Sequence, residues 1–144
     1  MRDDPTRMAE QVSKVLRHLV LLLRRSSAGQ PVTTQQYAVL GSLEDGPRRM
    51  TELAEEHAVQ LPTMTVQINR LEYAGLVARG SDPADARVRT VELTGEGRHR
   101  LHAVRRARIA RLAQDLAALT DDERDVLAAA LPVLAKLGID RTTQ

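Results

Sequence analysis

Cysteine is absent from the chain, as are tryptophan and phenylalanine, and Tyr37 and Tyr73 are the only aromatic rings. The first absence excludes disulfides, thiolate metal sites and a thiol redox switch, and leaves the redox compartment open. The second means that a core in these 144 residues, 42% of them hydrophobic, must come from Leu, Val, Ala and Ile, which favours helices packed on helices. Lysine is scarce too: apart from Lys14 and Lys136 the positive side chains are arginine. A guanidinium fork suits phosphates and base edges. Heavy arginine use equally accompanies an Ala- and Arg-rich genome, and a formal net charge of +2 makes bulk charge a weak argument for nucleic acid. No apolar run reaches bilayer length, and the opening MRDDPTRMAE lacks the charged-then-apolar order of a signal peptide. The expectation is a soluble cytoplasmic protein, residues 1–144 forming a single domain, with no membrane partner.

What is present reads as one amphipathic helix after another. Residues 6–25 carry Val12, Val15, Leu16, Leu19, Val20, Leu22 and Leu23, spaced three and four apart and too broad for a single narrow stripe, so this helix is expected to be covered on more than one side. Thr33 and Gln36 have capping-box spacing for a second helix, with Tyr37, Leu40 and Leu43 inward. MTELAEEHAV begins a short third helix with Thr51 as its expected N-cap, and a tight turn follows at 59–61. PTMTVQINRLEYAGLV begins a fourth at Pro62 and ends it at Gly75. In that helix Met64, Ile68 and Leu71 form the inward stripe, so Thr63, Val66, Gln67, Arg70 and the flanking Asn69 face elsewhere. Residues 95–118 form a long arginine-rich helix, and TDDE at 120–123 caps a last one running to about Leu137, with Pro132 expected to disturb it.

Between the fourth and fifth helices lies SDPADARVRTVELTGEG, which is not helical in pattern. It reads as strand (76–79), turn (80–85) and returning strand (87–93), with Arg89, Val91 and Leu93 on one face. Two short helices joined by a tight turn are a helix-turn-helix pattern, which many structural helical hairpins share; the hairpin directly after it makes a winged helix. Arg87, near the hairpin tip, suits a narrow minor groove, with Asp85 restraining its side chain, while Arg89 lies on the returning strand. The plainer alternative is a surface ion pair between Asp85 and Arg87.

PTMT at 62–65, RLEYAGLV at 70–77, the Asp-x-Arg of DAR at 85–87 and VELTGEG at 91–97 resemble the multiple-antibiotic-resistance regulator (MarR) family of winged-helix transcription factors. The resemblance implies a mainly α fold with a small β-wing: a winged helix-turn-helix lobe at 33–93 and dimerisation helices at 6–28 and 95–138. It implies a homodimer on double-stranded DNA with half-sites roughly 10 base pairs apart, and a ligand-responsive repressor. Position by position it places Pro62, Thr63, Thr65, Gln67, Asn69, Arg70, Arg87 and Arg89 at the DNA and Asp85 in support of the wing. Many relatives carry an arginine where this chain has Val66; valine cannot make a bidentate guanine contact, though it can touch a thymine methyl.

Relatives hold small-molecule effectors between the dimer helices and the lobe. The nearest candidates here are Arg17, His18 and Tyr37, each also readable as packing or surface. His99 and His102, with Glu96 before them, have helical metal-ligand spacing but read more simply as surface residues, so neither a metal nor a cofactor is expected. Nucleophile-elbow, phosphate-loop and paired-carboxylate motifs are absent, which argues against an enzyme. The competing class is a winged-helix dimer serving as a protein-interaction module; Arg70, Arg79, Arg87 and Arg89 favour DNA.

Overall fold

The computed structural model describes residues 4–26, 28–29 and 32–137. The chain divides into two compact units, one running to Arg106 and the other from Ala107. In order, the elements are α1 (Pro5–Ser26), α2 (Thr34–Ser42), β1 (Arg48–Arg49), α3 (Met50–Glu56), α4 (Leu61–Tyr73), β2 (Val77–Ser81), β3 (Arg89–Leu93), α5 (Gly95–Ala117) and α6 (Asp121–Leu134). The fold is mainly helical with a small antiparallel wing sheet of order β1-β3-β2.

The core of the first unit is the aliphatic one that the composition requires. Val39, Leu40 and Leu43 of α2, Leu53 of α3, and Met64, Ile68 and Leu71 of α4 meet Val77 and Val91 of the wing and Leu101 of α5, all buried. Thr33 caps α2 as its spacing suggests: its hydroxyl accepts from the Gln36 N–H at 3.1 Å, and the Gln36 side chain accepts from the Thr33 N–H at 2.9 Å. At α3 the expected cap was misplaced. Arg49, not Thr51, is the N-cap, and the Glu52 carboxylate accepts its N–H at 3.2 Å. The helix starts two residues early because Arg48 and Arg49 pair with Val91 and Thr90 of β3, which delivers Met50 straight into the core.

The turn between α3 and α4 is closed by Val59 N–H donating to Ala54 O at 3.0 Å, with Ala58 at φ +50°. The wing hairpin is displaced along the chain from the sequence pattern: its first strand runs two residues further than expected and its returning strand starts at Arg89 rather than at 87. β2 reaches Ser81, paired with Arg89, and the loop is 82–88.

α5 begins where Thr94 performs two jobs. Its hydroxyl donates to Gly75 O at 2.6 Å and accepts the Gly97 N–H at 3.0 Å, fastening the helix start to the end of α4. There Gly97 lies against the Leu76 carbonyl so closely that a Cβ would stand 1.8 Å from its oxygen. VELTGEG is therefore a packing motif as well as a strand-to-helix junction.

In the second unit, Thr120 caps α6 with Glu123, and Asp121, Asp122 and Glu123 occupy the first turn, where the helix dipole favours carboxylates. Pro132 sits inside α6, which ends at Leu134 rather than near Leu137. Ile109, Leu112, Val126, Leu131 and Val133 are exposed and α6 buries no residue. The same holds for α1 in the first unit, where Val15, Leu16, Leu19 and Val20 are about half exposed and none of its residues is buried; the expected covering is not supplied by this chain alone. Among the described residues no helix is long and apolar enough to cross a membrane.

Candidate nucleic-acid interface

α4 is the element on which the site is built. With Met64, Ile68 and Leu71 turned into the core, Pro62, Thr63, Val66, Asn69 and Arg70 are exposed, while Thr65 and Gln67 are half-buried on its two flanks. Gly75, at φ +74°, ends the helix in the left-handed conformation glycine adopts without strain and turns the chain into the wing. The Thr65 hydroxyl donates back to Leu61 O at 2.9 Å.

On the Thr65 flank, α3, α4 and the wing enclose an open cleft of about 700 Å³ lined by Arg49, Thr51, Thr65, Arg79, Arg87 and Arg89 among others. Thr65 and Arg87 thus stand on one side of the molecule. Four arginines line this cleft, and two of them are tied down: Arg79 to α4, and Arg49, whose Nε and Nη2 donate to Asp82 Oδ2 at 3.0 and 2.9 Å, binding the start of α3 to the wing loop.

Asp85 supports the wing differently from expectation. Its carboxylate accepts the backbone N–H of Arg87 at 3.0 Å in a local turn, and no ion pair joins it to the Arg87 side chain among the described residues. The short Asp reaches the backbone two residues on more readily than it holds a long, solvated guanidinium. The Arg87 side chain has no hydrogen-bond or ion-pair partner among the described residues.

Asp82 is held below the ordinary carboxylate range, first by the Ala84 N–H at 2.8 Å and next by Arg49. A carboxyl with a depressed folded-state pKa stabilises the fold above its unfolded pKa and loses that contribution as pH falls through the folded value. The Ala84 amide resonance should therefore titrate with a midpoint below 3.8 and stop doing so in Asp82→Asn. A midpoint at or above that value would contradict the tether.

Asn69, expected at the bases, is partly engaged. Its Oδ1 accepts from Arg79 Nη2 at 2.6 Å while Arg79 Nη1 pairs with Glu72 at 2.6 Å, so Arg79 staples β2 to α4 and leaves Asn69 only its amide N–H groups for a ligand. Gln67 and Arg70 lie on the other flank, in a second open cleft of about 780 Å³ with Val20, Arg24, Thr33 and Gln35. Gln67 Nε2 is 3.4 Å from Gln35 Oε1.

A model of the MarR family matches residues 30–88. An HTH-type transcriptional regulator of Mycobacterium tuberculosis is 33% identical over 138 residues, covering 95% of this chain and 96% of its own. The chain belongs to the MarR family. Among solved structures, a putative transcriptional regulator from Pseudomonas aeruginosa superposes with a TM-score of 0.78 at 30% identity, covering 96% of this chain and 99% of that one. The Multiple Antibiotic Resistance Repressor, MarR, does so with 0.76 at 26%, covering 93% and 96%.

Neither of the two clefts holds the effector candidates of this MarR-family chain. Arg17 and His18 are exposed on α1, Tyr37 packs against the core, and none of the three lines either cleft. Arg105 grips Glu44 through two hydrogen bonds of 2.8 and 2.6 Å. This bond chiefly holds the Glu44 carboxyl below its ordinary range, and it raises Arg105, with a further contribution from the Tyr37 hydroxyl. Tyr37 is therefore occupied in joining α2 to α5. Among the described residues no group of three or more histidines and carboxylates is placed to hold a metal; His57 Nε2 lies 2.9 Å from Ser42 Oγ.

Sequence reasoning assigns Arg49 and Arg24 no role, and Thr51 only that of an expected N-cap. Arg49 and Thr51 reach the cleft only because a two-residue strand docks on β3, a pairing too short to leave a periodic signal. Arg24, at the end of α1, lines the second cleft.

Proposed function

We propose that α4 enters the DNA major groove while Arg87 and Arg89 reach the adjoining backbone and minor groove, in a homodimer that represses transcription from a near-palindromic operator. As a member of its family the chain is a DNA-binding transcriptional regulator. The observation that carries the finer reading is the shared cleft of Thr65, Arg87 and Arg89: helix tip and wing point one way, as two elements gripping one duplex must.

Dimerisation through 6–28 and 95–138 is supported by the half-exposed apolar face of α1 and by the exposed Ile109, Leu112 and Val126, apolar surface of the kind that marks an interaction site. Repression follows the name of the MarR neighbour. An effector would act by preferring a lobe spacing that does not fit DNA, shifting the population off the operator.

Selection of duplexes from a random pool should return a two-fold symmetric motif with half-sites roughly 10 base pairs apart. Arg87→Ala should weaken binding about tenfold and reduce the slope of log affinity against log salt by about 0.9, the share of one phosphate contact. Binding without salt dependence in the parent protein would refute the DNA reading and return the chain to the protein-interaction class.

A further inference from the structure

The wing cleft accounts for one flank of α4, and the other flank carries a cleft of comparable size with its own cations. Arg24, in the last turn of α1, and Arg70, in the last turn of α4, line it together with Gln67, Gln35 and the first residues of α2. Both guanidinium groups are exposed, and neither has a hydrogen-bond or ion-pair partner among the described residues. Among the described residues that line this cleft none is acidic.

The significance of this second cleft rests on the DNA reading, with α4 lying in a groove. An α-helix with its side chains is about 10–12 Å across, and the B-form major groove is about 12 Å wide. The helix therefore fills the groove from wall to wall, and each of its flanks confronts one phosphodiester strand. Thr65 and the wing arginines face one wall. Gln67 and Arg70, half-buried and exposed on the opposite flank, face the other.

We propose that the cleft between α1, α2 and α4 seats the phosphodiester strand on the side of the major groove away from the wing, with Arg24 and Arg70 as its cationic contacts. The recognition helix is then clamped from both walls, which fixes its roll about its own axis. That restraint matters here because the crest of the helix carries Val66, which has no hydrogen bond with which to set register.

The test uses the full-length protein and random-sequence duplex titrated across salt, followed by a selected duplex carrying single neutral methylphosphonate linkages. Arg24→Ala and Arg70→Ala should each weaken binding about tenfold on all sequences alike and lower the salt slope by about 0.9. Arg24→Lys should restore the slope, since it returns the charge. Methylphosphonates should penalise the parent protein on both walls; Arg24→Ala should lose the penalty at the linkage that Arg24 contacts and Arg87→Ala that at its own linkage, each keeping the penalties on the opposite wall.

Unchanged slopes in Arg24→Ala and Arg70→Ala, with a reduced slope in Arg87→Ala, would overturn this proposal and leave the DNA reading intact. A parent protein without salt-dependent binding would sink both. If inorganic phosphate saturably shifts the Arg24 Nε–H resonance of the DNA-free protein while Arg24→Ala keeps the full slope, the cleft takes a free anion and the strand assignment is wrong.

Discussion

Gly97→Ala should lower the unfolding free energy by about 3 kcal/mol, near the upper end of the usual overpacking cost. Intrinsic propensity predicts the opposite sign, because alanine is better than glycine in a helix by about 1 kcal/mol. The tertiary environment decides the outcome. A Cβ at residue 97 would lie 1.8 Å from the Leu76 oxygen, 2.8 Å from its carbonyl carbon and 3.2 Å from its Cα, so the obstacle is backbone rather than a side chain that can swing away.

That backbone is fixed by Leu76 N–H to Leu71 O at 2.9 Å, Thr94 N–H to Leu76 O at 3.1 Å and Thr94 Oγ1 to Gly75 O at 2.6 Å. Relief requires lifting the start of α5 off the lobe and with it Leu101 and Val104 from the core. Gly95→Ala is the control: a Cβ there meets nothing within 4 Å, so propensity should prevail and stability should hold or rise. Urea midpoints of the two variants decide the matter. Equal stability of Gly97→Ala and the parent would show that the backbone at Leu76 yields more readily than its hydrogen bonds suggest.

The second large effect should come from α1. Leu16→Glu/Leu19→Glu should give a monomer by sedimentation and weaken binding to a two-fold operator by about 10²–10⁴, the range of advantage that linking two recognition modules confers. Both residues are about half exposed in the single chain, so a charge there costs the lobe little by itself, and the helical circular dichroism of the lobe should persist. Loss must then arise from the partner, where burying a carboxylate among leucines without a counter-charge is expensive. A double variant that remains dimeric, or a parent protein that is monomeric at micromolar concentration, would remove α1 from the interface.

Much of the lobe was legible because its signals are local. The Thr33–Gln36 cap, the 64/68/71 stripe, Gly75 beyond the end of α4 and the hairpin after it each depend on a few neighbouring residues, and each is found in place, although Thr90 and Val91 are both buried and burial along β3 does not alternate. The site was legible only in outline. Thr65, Arg87 and Arg89 share a cleft, but Arg49 and Thr51 join them through the β1–β3 pairing, and Asn69 is drawn toward Arg79 by a contact between residues ten apart. The role given to Asp85 differed for a related reason: its carboxylate had a backbone donor in reach as well as a side chain, and spacing alone does not rank them.

The order of residues along this chain determined its elements, the aliphatic make-up of its interior and the polarity of each helical face, because these follow from interactions spanning one or two turns. Which arginines converge, which are already committed to a carboxylate and which apolar faces remain uncovered was decided only when distant segments met. A guanidinium reaches several ångströms from its backbone, and its partner is fixed by the packing of elements that periodicity cannot orient.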